Sequence, residues 1–570
     1  MAMEDDGIIE PSFFDVIVLG TGLPECILAA AAAAAGKSVL HMDSWDFYGS
    51  FWSSLPLHHF SSFLSTGCRL SPPIPPIANP ASSPSSSAPQ SLHLPDTSIE
   101  QVAASGSSLK ELEAVVLHDT DANCSGSSSG IVSRSSFSKA SETELDGLGL
   151  KAIPINNEAS IYADVSVSEY GNSLYTASRA YNLDLAGPKL LLCGDSFVDL
   201  LLRSKTNNYL EFKSIEATYI WSGGGLVAVP SSRADVFKDR SLNLREKRLL
   251  MRFFKLVSDF AASSSDGSNF ELSAIELESP FVDFLRQQEL PASIQAMILY
   301  AIALADDDQE QQSEDSFKRV TVREGLERLA LYLSSVSRFP NALGAFLYPL
   351  YGQGELAQAF CRSAAVKGAL YVLRRSVDAI LMEKDKSQYK GIRTGSGQIL
   401  YSQKLVIGPC LLSLENFSNL MSFQQGLEAS GHGFHTCRTT ESSSSPVCSG
   451  SRCWKVARFV CITDSSLQPD QHNILMVFPP RSLSGTFSSV VRALQLSSNT
   501  SVCPEGRFVV QFSTLCLHSK RQRRLFSQLL RLCSGLRIVL VIVTSKELGK
   551  NTSNLVQKPK ILWSSFMFNL

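Results

Sequence analysis

Phe14-Asp15-Val16-Ile17-Val18-Leu19-Gly20-Thr21-Gly22-Leu23-Pro24-Glu25-Cys26-Ile27-Leu28 is the stretch whose reading decides the fold. Phe14 to Leu19 is a β-branched apolar run that stops at Gly20, Cys26 to Ala35 is a run of strong helix formers, and Ser38 to Met42 reads as a second short strand ending in Asp43. The rhythm is strand, turn, helix, strand. Gly20 and Gly22 stand where a dinucleotide-binding turn needs them, and Asp43 lies about 20 residues on, where such folds place a ribose-binding acid. The third glycine of that pattern is replaced by Glu25, which puts bulk and negative charge where a pyrophosphate would approach the helix N-terminus. Gly20, Gly22, Glu25 and Asp43 therefore read as a vestigial cofactor site, and no flavin or nicotinamide is expected.

Working outward, the whole chain has 570 residues, 44% of them hydrophobic and 18% charged, with mean hydropathy +0.05. That is long enough for more than one folding unit. The 51 basic and 54 acidic residues leave a net charge of −3, which argues against nucleic acid as a partner because phosphate neutralisation needs a basic face. No apolar run reaches the roughly 18 residues of a bilayer span; Ile27 to Ala35 and Ile538 to Val543 come nearest and read as core elements. The acidic start Met1-Ala2-Met3-Glu4-Asp5-Asp6 is unlike a basic targeting peptide, so a cytosolic location is expected. Thirteen cysteines without a Cys-x-x-Cys pair read as reduced, buried thiols.

Residues 65–150 change character, with Pro72-Pro73, Pro75-Pro76 and Ser85-Ser86-Ser87, and are expected to be a disordered Ser/Pro-rich insertion. Order is expected again from Lys151. Ser196 to Lys205 reads as a helix, and Tyr209 to Trp221 with Leu226 to Val229 as a hairpin around Gly223-Gly224-Gly225. Three apolar stripes at helical spacing follow: Leu250, Phe253, Phe254, Val257 and Phe260; Ile294, Met297, Ile298, Ala301, Ile302 and Ala305; and Val322, Leu326, Leu329, Leu333 and Val336. The expected organisation is a first βαβ unit over 1–64, the insertion over 65–150, an α/β continuation over 151–241, an inserted all-helical block over 242–339, and the rest of the α/β domain over 340–570. In that last part Glu355 to Lys367 reads as a helix. Ala369 to Leu373, Gln398 to Ile407, Arg458 to Thr463, Asn473 to Val477 and Gly506 to Phe512 read as strands.

Other chemistry is sparse: no phosphate-binding Gly-Lys-Ser/Thr loop, no Gly-x-Ser-x-Gly elbow and no His-Glu-x-x-His occurs. His432, His435, Cys437, Cys448 and Cys453 fit no common zinc spacing, and no metal is expected there. Lys520, Arg521, Arg523, Arg524 and Arg531 interleave with Leu525, Phe526, Leu529 and Leu530, as either a membrane-touching amphipathic helix or a solvated helix face. Phe346-Leu347-Tyr348-Pro349-Leu350-Tyr351-Gly352-Gln353-Gly354-Glu355-Leu356 is the richest motif. It opens a helix on which Glu355 and Arg362, seven residues apart, share a face, either as a protein-docking platform with the nearby tyrosines or as an ordinary surface pair.

With Val39-Leu40-His41-Met42-Asp43, Tyr48-Gly49, Asn208-Tyr209-Leu210-Glu211-Phe212-Lys213, Glu246-Lys247-Arg248 and Lys558-Pro559-Lys560-Ile561-Leu562-Trp563, these motifs resemble the family of Rab GDP-dissociation inhibitors and Rab escort proteins, the choroideremia-type proteins. The resemblance spans the chain except 65–150 and two weaker stretches, about 420–455 and 533–557. It implies a flavoprotein-like α/β domain without a working flavin, carrying an inserted helical domain, and Glu25 in place of glycine is the family's own pattern. The long insertion and Ser50-Phe51-Trp52-Ser53-Ser54-Leu55 after Tyr48-Gly49 side with the escort proteins, whereas Ala357 departs from the commoner proline. An escort would be a non-catalytic component A of Rab geranylgeranyl transferase. It would bind GDP-bound Rab GTPases through Tyr48, Glu355, Arg362 and Val372, present them for prenylation, shelter the geranylgeranyl lipid in the helical block and deliver the product during transient membrane contact. A recycling inhibitor of the same fold and a flavin-dependent amine oxidase-like enzyme are the competing readings.

Overall fold

β1 (Phe13–Leu19) lies at the centre of a sheet because both of its faces are apolar: Val18 packs on one side, Ile17 and Leu19 on the other. The computed structural model describes, apart from short breaks, residues 8–67, 145–155, 164–169, 175–408, 455–516 and 538–547. Most of the Ser/Pro-rich segment, the His432 to Cys453 cluster, the basic segment around Lys520 and the Lys558 to Trp563 motif lie outside the described residues.

β1 pairs in parallel with β2 (Val39–Met42) on one side and with Ile399–Ile407 on the other. The seven-stranded sheet runs in the order Leu370–Val372, β2, β1, Ile399–Ile407, Tyr389–Thr394, Val377–Glu383, Leu150–Pro154, and its last three strands are antiparallel. The helix α1 (Leu23–Ala34) covers one face. Its buried Cys26, Ala29, Ala30 and Ala33 recur at helical spacing, and these small residues let it lie close against Leu356, Ala357, Phe360, Cys361 and Ala364 of the helix Gly354–Val366. Ala357 is fully buried in that contact.

A second sheet has eight strands, in the order Gly225–Ala228, Ala217–Ser222, Ile474–Phe478, Val491–Ser497, Phe508–Cys516, Lys455–Thr463, Ile538–Glu547, Asp164–Glu169. Between 233 and 335 the described residues form helices: Arg233–Lys238, Leu244–Asp266, Ala274–Glu278, Phe281–Gln287, Ala292–Ala296 with a π-helical continuation over Met297–Ile302, and Val322–Ser335. The three apolar stripes turn inward, except that Leu333 and Val336 are half-buried and Tyr332 takes the buried place beside them. These helices share one continuous core with Val460, Ile462, Leu475, Val477, Leu494 and Val509 on the inner face of the eight-stranded sheet. Two arginines hold them there. Arg492, itself buried, donates to Asp306 Oδ1 at 2.5 Å and to the Ala305 carbonyl at 2.7 Å, and Arg481 pairs with Asp308.

The hairpin extends only over Ala217–Ser222 and Gly225–Ala228. Upstream of it Thr206–Tyr209 is a 3₁₀ turn, and Phe212–Ser214 joins Phe346–Pro349 in a separate small sheet. Gly344 lies so close to the Ile215 carbonyl that a Cβ there would collide with it, and the chain changes sheets at that contact. Strands Val377–Glu383, Tyr389–Thr394 and Val491–Ser497 add to the expected set.

Gly325, in Val322–Ser335, faces Phe281, and a Cβ built on it would lie 2.5 Å from the ring. Gly325→Ala should therefore lower stability by about 1–3 kcal/mol through overpacking, despite a helix-propensity gain of up to about 1 kcal/mol. A urea titration checks the sign, and a raised midpoint would mean that Phe281 gives way freely.

Candidate functional site

The vestigial turn is filled by the protein's own groups. Gly20, at φ +92°, ends β1 and carries the chain into Thr21, whose amide and hydroxyl both donate to Asp43 Oδ2, at 2.8 and 2.6 Å. Ser50 Oγ donates to the same oxygen at 2.8 Å, and the Trp45 amide donates to Oδ1 at 3.1 Å. The buried Asp43 carboxylate is thus spent on internal donors, leaving it poorly placed to receive a ribose hydroxyl. The Glu25 carboxyl folds back onto Gly22, where a Cβ would strike its Oε2, and accepts from its own backbone amide at the start of α1. The indole of Trp52 lies beside Gly22 as well, with the Lys189 ammonium over its ring.

An acidic side chain and an indole therefore stand where a pyrophosphate would meet the helix N-terminus. The cavity beside Asp43, lined by Leu19, Met42, Ile155, Arg375 and Val377, measures only about 10 Å³, against the several hundred a cofactor needs. The residues present do not fit a dinucleotide. Among the described residues no three His, Cys, Asp or Glu side chains gather as metal ligands, and no helix is long and apolar enough to cross a membrane.

Across α1, the helix Gly354–Val366 is seated by groups that give little sequence signal. Asp184 Oδ1 accepts from Ser54 Oγ at 2.6 Å and from the Gln353 amide at 2.9 Å, while Oδ2 accepts from the Tyr348 hydroxyl at 2.7 Å. Ser54 Oγ in turn caps the Gly354 amide at 2.9 Å. Side chains at Gly352, φ +108°, or at Gly354 would run into Ser54, so glycine is required for this close approach. Tyr348 is fully buried and has no part in any docking surface, whereas Tyr351, at φ +68°, is 52% exposed. Asp184 was missed because an acid between Leu183 and Leu185 looks like ordinary strand alternation.

Glu355 is half-buried and Arg362 exposed. Burial pushes the Glu355 carboxyl up, and the Arg362 guanidinium pulls it partly back, so the two do sense one another along the helix face. Arg362 also lies over the ring of Tyr209 at 5.7 Å. Tyr48 is half-buried and meets Tyr371 edge to face at 5.8 Å. Burial first, and then the Cys361 thiol, push its phenol up, and Tyr48 packs against the core cluster that includes Cys361, the residue preceding Arg362. Val372, half-buried, is aligned with Met42 at the sheet edge and follows Tyr371 directly. The structure thus links Tyr48 to Tyr371 and Glu355 to Arg362 and adds Tyr209. The sequence places Tyr209 in a motif and at the start of a hairpin strand, and not in this site.

Burial, with a smaller contribution from Asp43, pushes the Glu25 carboxyl up to about 7, although its own amide opposes this. A carboxyl whose folded pKa lies above its unfolded value stabilises the fold in acid and loses that contribution as pH rises through the folded pKa. The window runs from about 4.5 to about 7. Glu25→Gln should accordingly be more stable than wild type at pH 8, by about 1–3 kcal/mol, with the gap closing towards pH 4.5. Denaturant midpoints across that range measure it, and a pH-independent gap would remove Glu25 as the cause.

Two family models match the chain. One, described as GDP dissociation inhibitor, covers residues 8–69 and 136–419 and breaks across the Ser/Pro-rich segment; the other, RAE1/2 domain I, C-terminal region, covers 456–570. The chain is 40% identical to Rab escort protein 1 of Arabidopsis thaliana over 89% of its own length and 77% of the relative's. It is 27% identical to Rab proteins geranylgeranyltransferase component A 2 of Mus musculus over 98% of its length and 89% of that protein's. Among solved structures it is similar to the Rab GDI of Plasmodium falciparum, with TM-score 0.56 at 18% identity, covering 95% of this chain and 91% of that one, and so shares its fold. By the matched family model and the escort relatives together, the chain belongs to the GDP dissociation inhibitor family, on its Rab escort branch.

Proposed function

We propose that this chain is an escort for Rab GTPases. It binds newly made, GDP-bound Rab, presents it to Rab geranylgeranyl transferase as a non-catalytic component, and carries the prenylated product through the cytosol to a membrane. The observation that carries this reading is the 40% identity to an escort protein over 89% of the chain, joined by the match of 456–570 to the RAE1/2 model. Recycling of already prenylated Rab by the same fold is the alternative. An oxidoreductase is disfavoured by Glu25, Trp52 and the occupied Asp43.

In this reading Tyr48, Glu355, Arg362 and Val372 contact the globular surface of Rab. Arg362 supports it best, being exposed yet held in place over Tyr209, which lowers the entropy lost on docking. The lipid needs shelter, because a chain of about twenty carbons costs on the order of 10 kcal/mol to leave in water. The helical block over 242–339 is the proposed shelter. A cavity of about 480 Å³ opens beside it, between the hairpin and the helices, with Val227, Val229, Pro230, Tyr332 and Phe346 among its walls.

Reconstitution decides between escort and inhibitor. Purified Rab, transferase and geranylgeranyl diphosphate should show strong stimulation of prenyl transfer when the chain is added. Extraction of prenylated Rab from membranes without any stimulation would favour the inhibitor instead. Within the same assay Arg362→Ala should weaken Rab binding by about 2 kcal/mol, some thirtyfold, with an unchanged melting temperature. Undiminished affinity would take Arg362 out of the contact.

A further inference from the structure

Cys26 of α1 and Cys361 of the helix Gly354–Val366 meet where those two helices cross, with their sulfurs 3.3 Å apart. A disulfide needs about 2.05 Å, so the pair is roughly 1.3 Å short of a covalent bond. Their surroundings tie both flanking sites to this contact. Cys26 donates its thiol proton to the Thr21 carbonyl at 3.0 Å, in the turn held by Asp43. Cys361 precedes Arg362 in the helix and belongs to the core cluster against which Tyr48 and Tyr371 pack. We propose that Cys26 and Cys361 are a reversible oxidation site whose disulfide draws α1 and the Arg362-bearing helix together and so weakens docking at Tyr48 and Arg362. Only the docking half of this rests on the function proposed above.

The chemistry closes with hydrogen peroxide as oxidant. Cys361 is 6% exposed and Cys26 is not exposed at all, so peroxide reaches Cys361 first, converting its thiol to a sulfenic acid and releasing one water. The Cys26 sulfur then displaces the hydroxyl group, which leaves with the Cys26 proton as a second water. Two thiols lose two electrons and two protons, and peroxide is reduced to two waters. Burial holds the Cys26 thiol protonated and keeps bulky disulfides in solution away from it, so its attack on Cys361 passes the thiol proton to the leaving hydroxyl in the same step. Contact with an oxidised Cys361 removes the need for diffusion. In a reducing compartment such a bond is transient, as expected of a sensor and not of a structural staple.

The test uses the full chain, folded, with hydrogen peroxide as the probe. After mild oxidation, alkylation and non-reducing peptide mapping, a peptide pair joined through Cys26 and Cys361 should appear and vanish with dithiothreitol. Rab affinity should fall about fivefold or more and return on reduction. Cys26→Ala and Cys361→Ala, checked for an unchanged melting temperature, should each abolish the linked peptide and the loss of affinity. Absence of the linkage, or its appearance only in denaturant, overturns the oxidation site. Linkage with unchanged affinity overturns the docking half. Failure of reduced, unlinked protein to bind Rab refutes the functional reading and leaves the oxidation site to be judged on the peptide map alone.

Discussion

One buried carboxylate, that of Asp184, joins three segments far apart in the chain: the Ser54–Pro56 strand, Tyr348 of the Phe346–Pro349 strand, and the turn at Gln353 that starts the helix Gly354–Val366. The Asp184 carbonyl is also used, accepting from the buried guanidinium of Arg458 in the second sheet at 3.1 Å. Buried donors without an acceptor cost about 1–3 kcal/mol each, so this carboxylate constrains where both the helix Gly354–Val366 and the sheets can sit. The glycines at 352 and 354 follow from it. The carboxylate can reach its donors only if the backbone there lies flat against Ser54.

Glu25 answers a related demand in another way. A helix N-terminus carries unpaired amides and partial positive charge, which nucleotide-binding folds satisfy with phosphate. Here a side-chain carboxyl of the first turn of α1 takes that place and accepts from its own amide, with Trp52 beside Gly22, although burial disfavours its charged form. The same unit then serves as a stiff wall for the helix Gly354–Val366 instead of a cofactor bed.

Much of this was legible in the residues. The β1, α1, β2 unit follows from a clean change of period, and the Glu355 and Arg362 pair from their seven-residue spacing. The strand Val491–Ser497 was not legible. All seven of its residues are buried, so no alternation remains, and Arg492 and Gln495 interrupt its apolar run, their partners Asp306 and the Ser466 hydroxyl lying well away in sequence. Tyr348 misled for the opposite reason. A tyrosine beside an exposed one looks like docking surface, and only the long-range bond to Asp184 places it inside. Contacts between residues far apart in sequence leave no periodic trace, and both the bonds to the Asp184 carboxylate and the thiol pair are of that kind.

The two arginine anchors, Arg492 to Asp306 and Arg481 to Asp308, bear on motion as well as on packing. They clamp the loop between Met297–Ile302 and Val322–Ser335 to the turn and strand at 481–492, across a core that the helices and the sheet hold in common. Ion pairs with a buried member are little screened by salt, and a shared core resists shear. The helices therefore lack the free hinge that would let them swing open alone. Parting these helices from the sheet would break one of the two pairs or carry the strand with Arg492 along, so helices and sheet are expected to move as one piece.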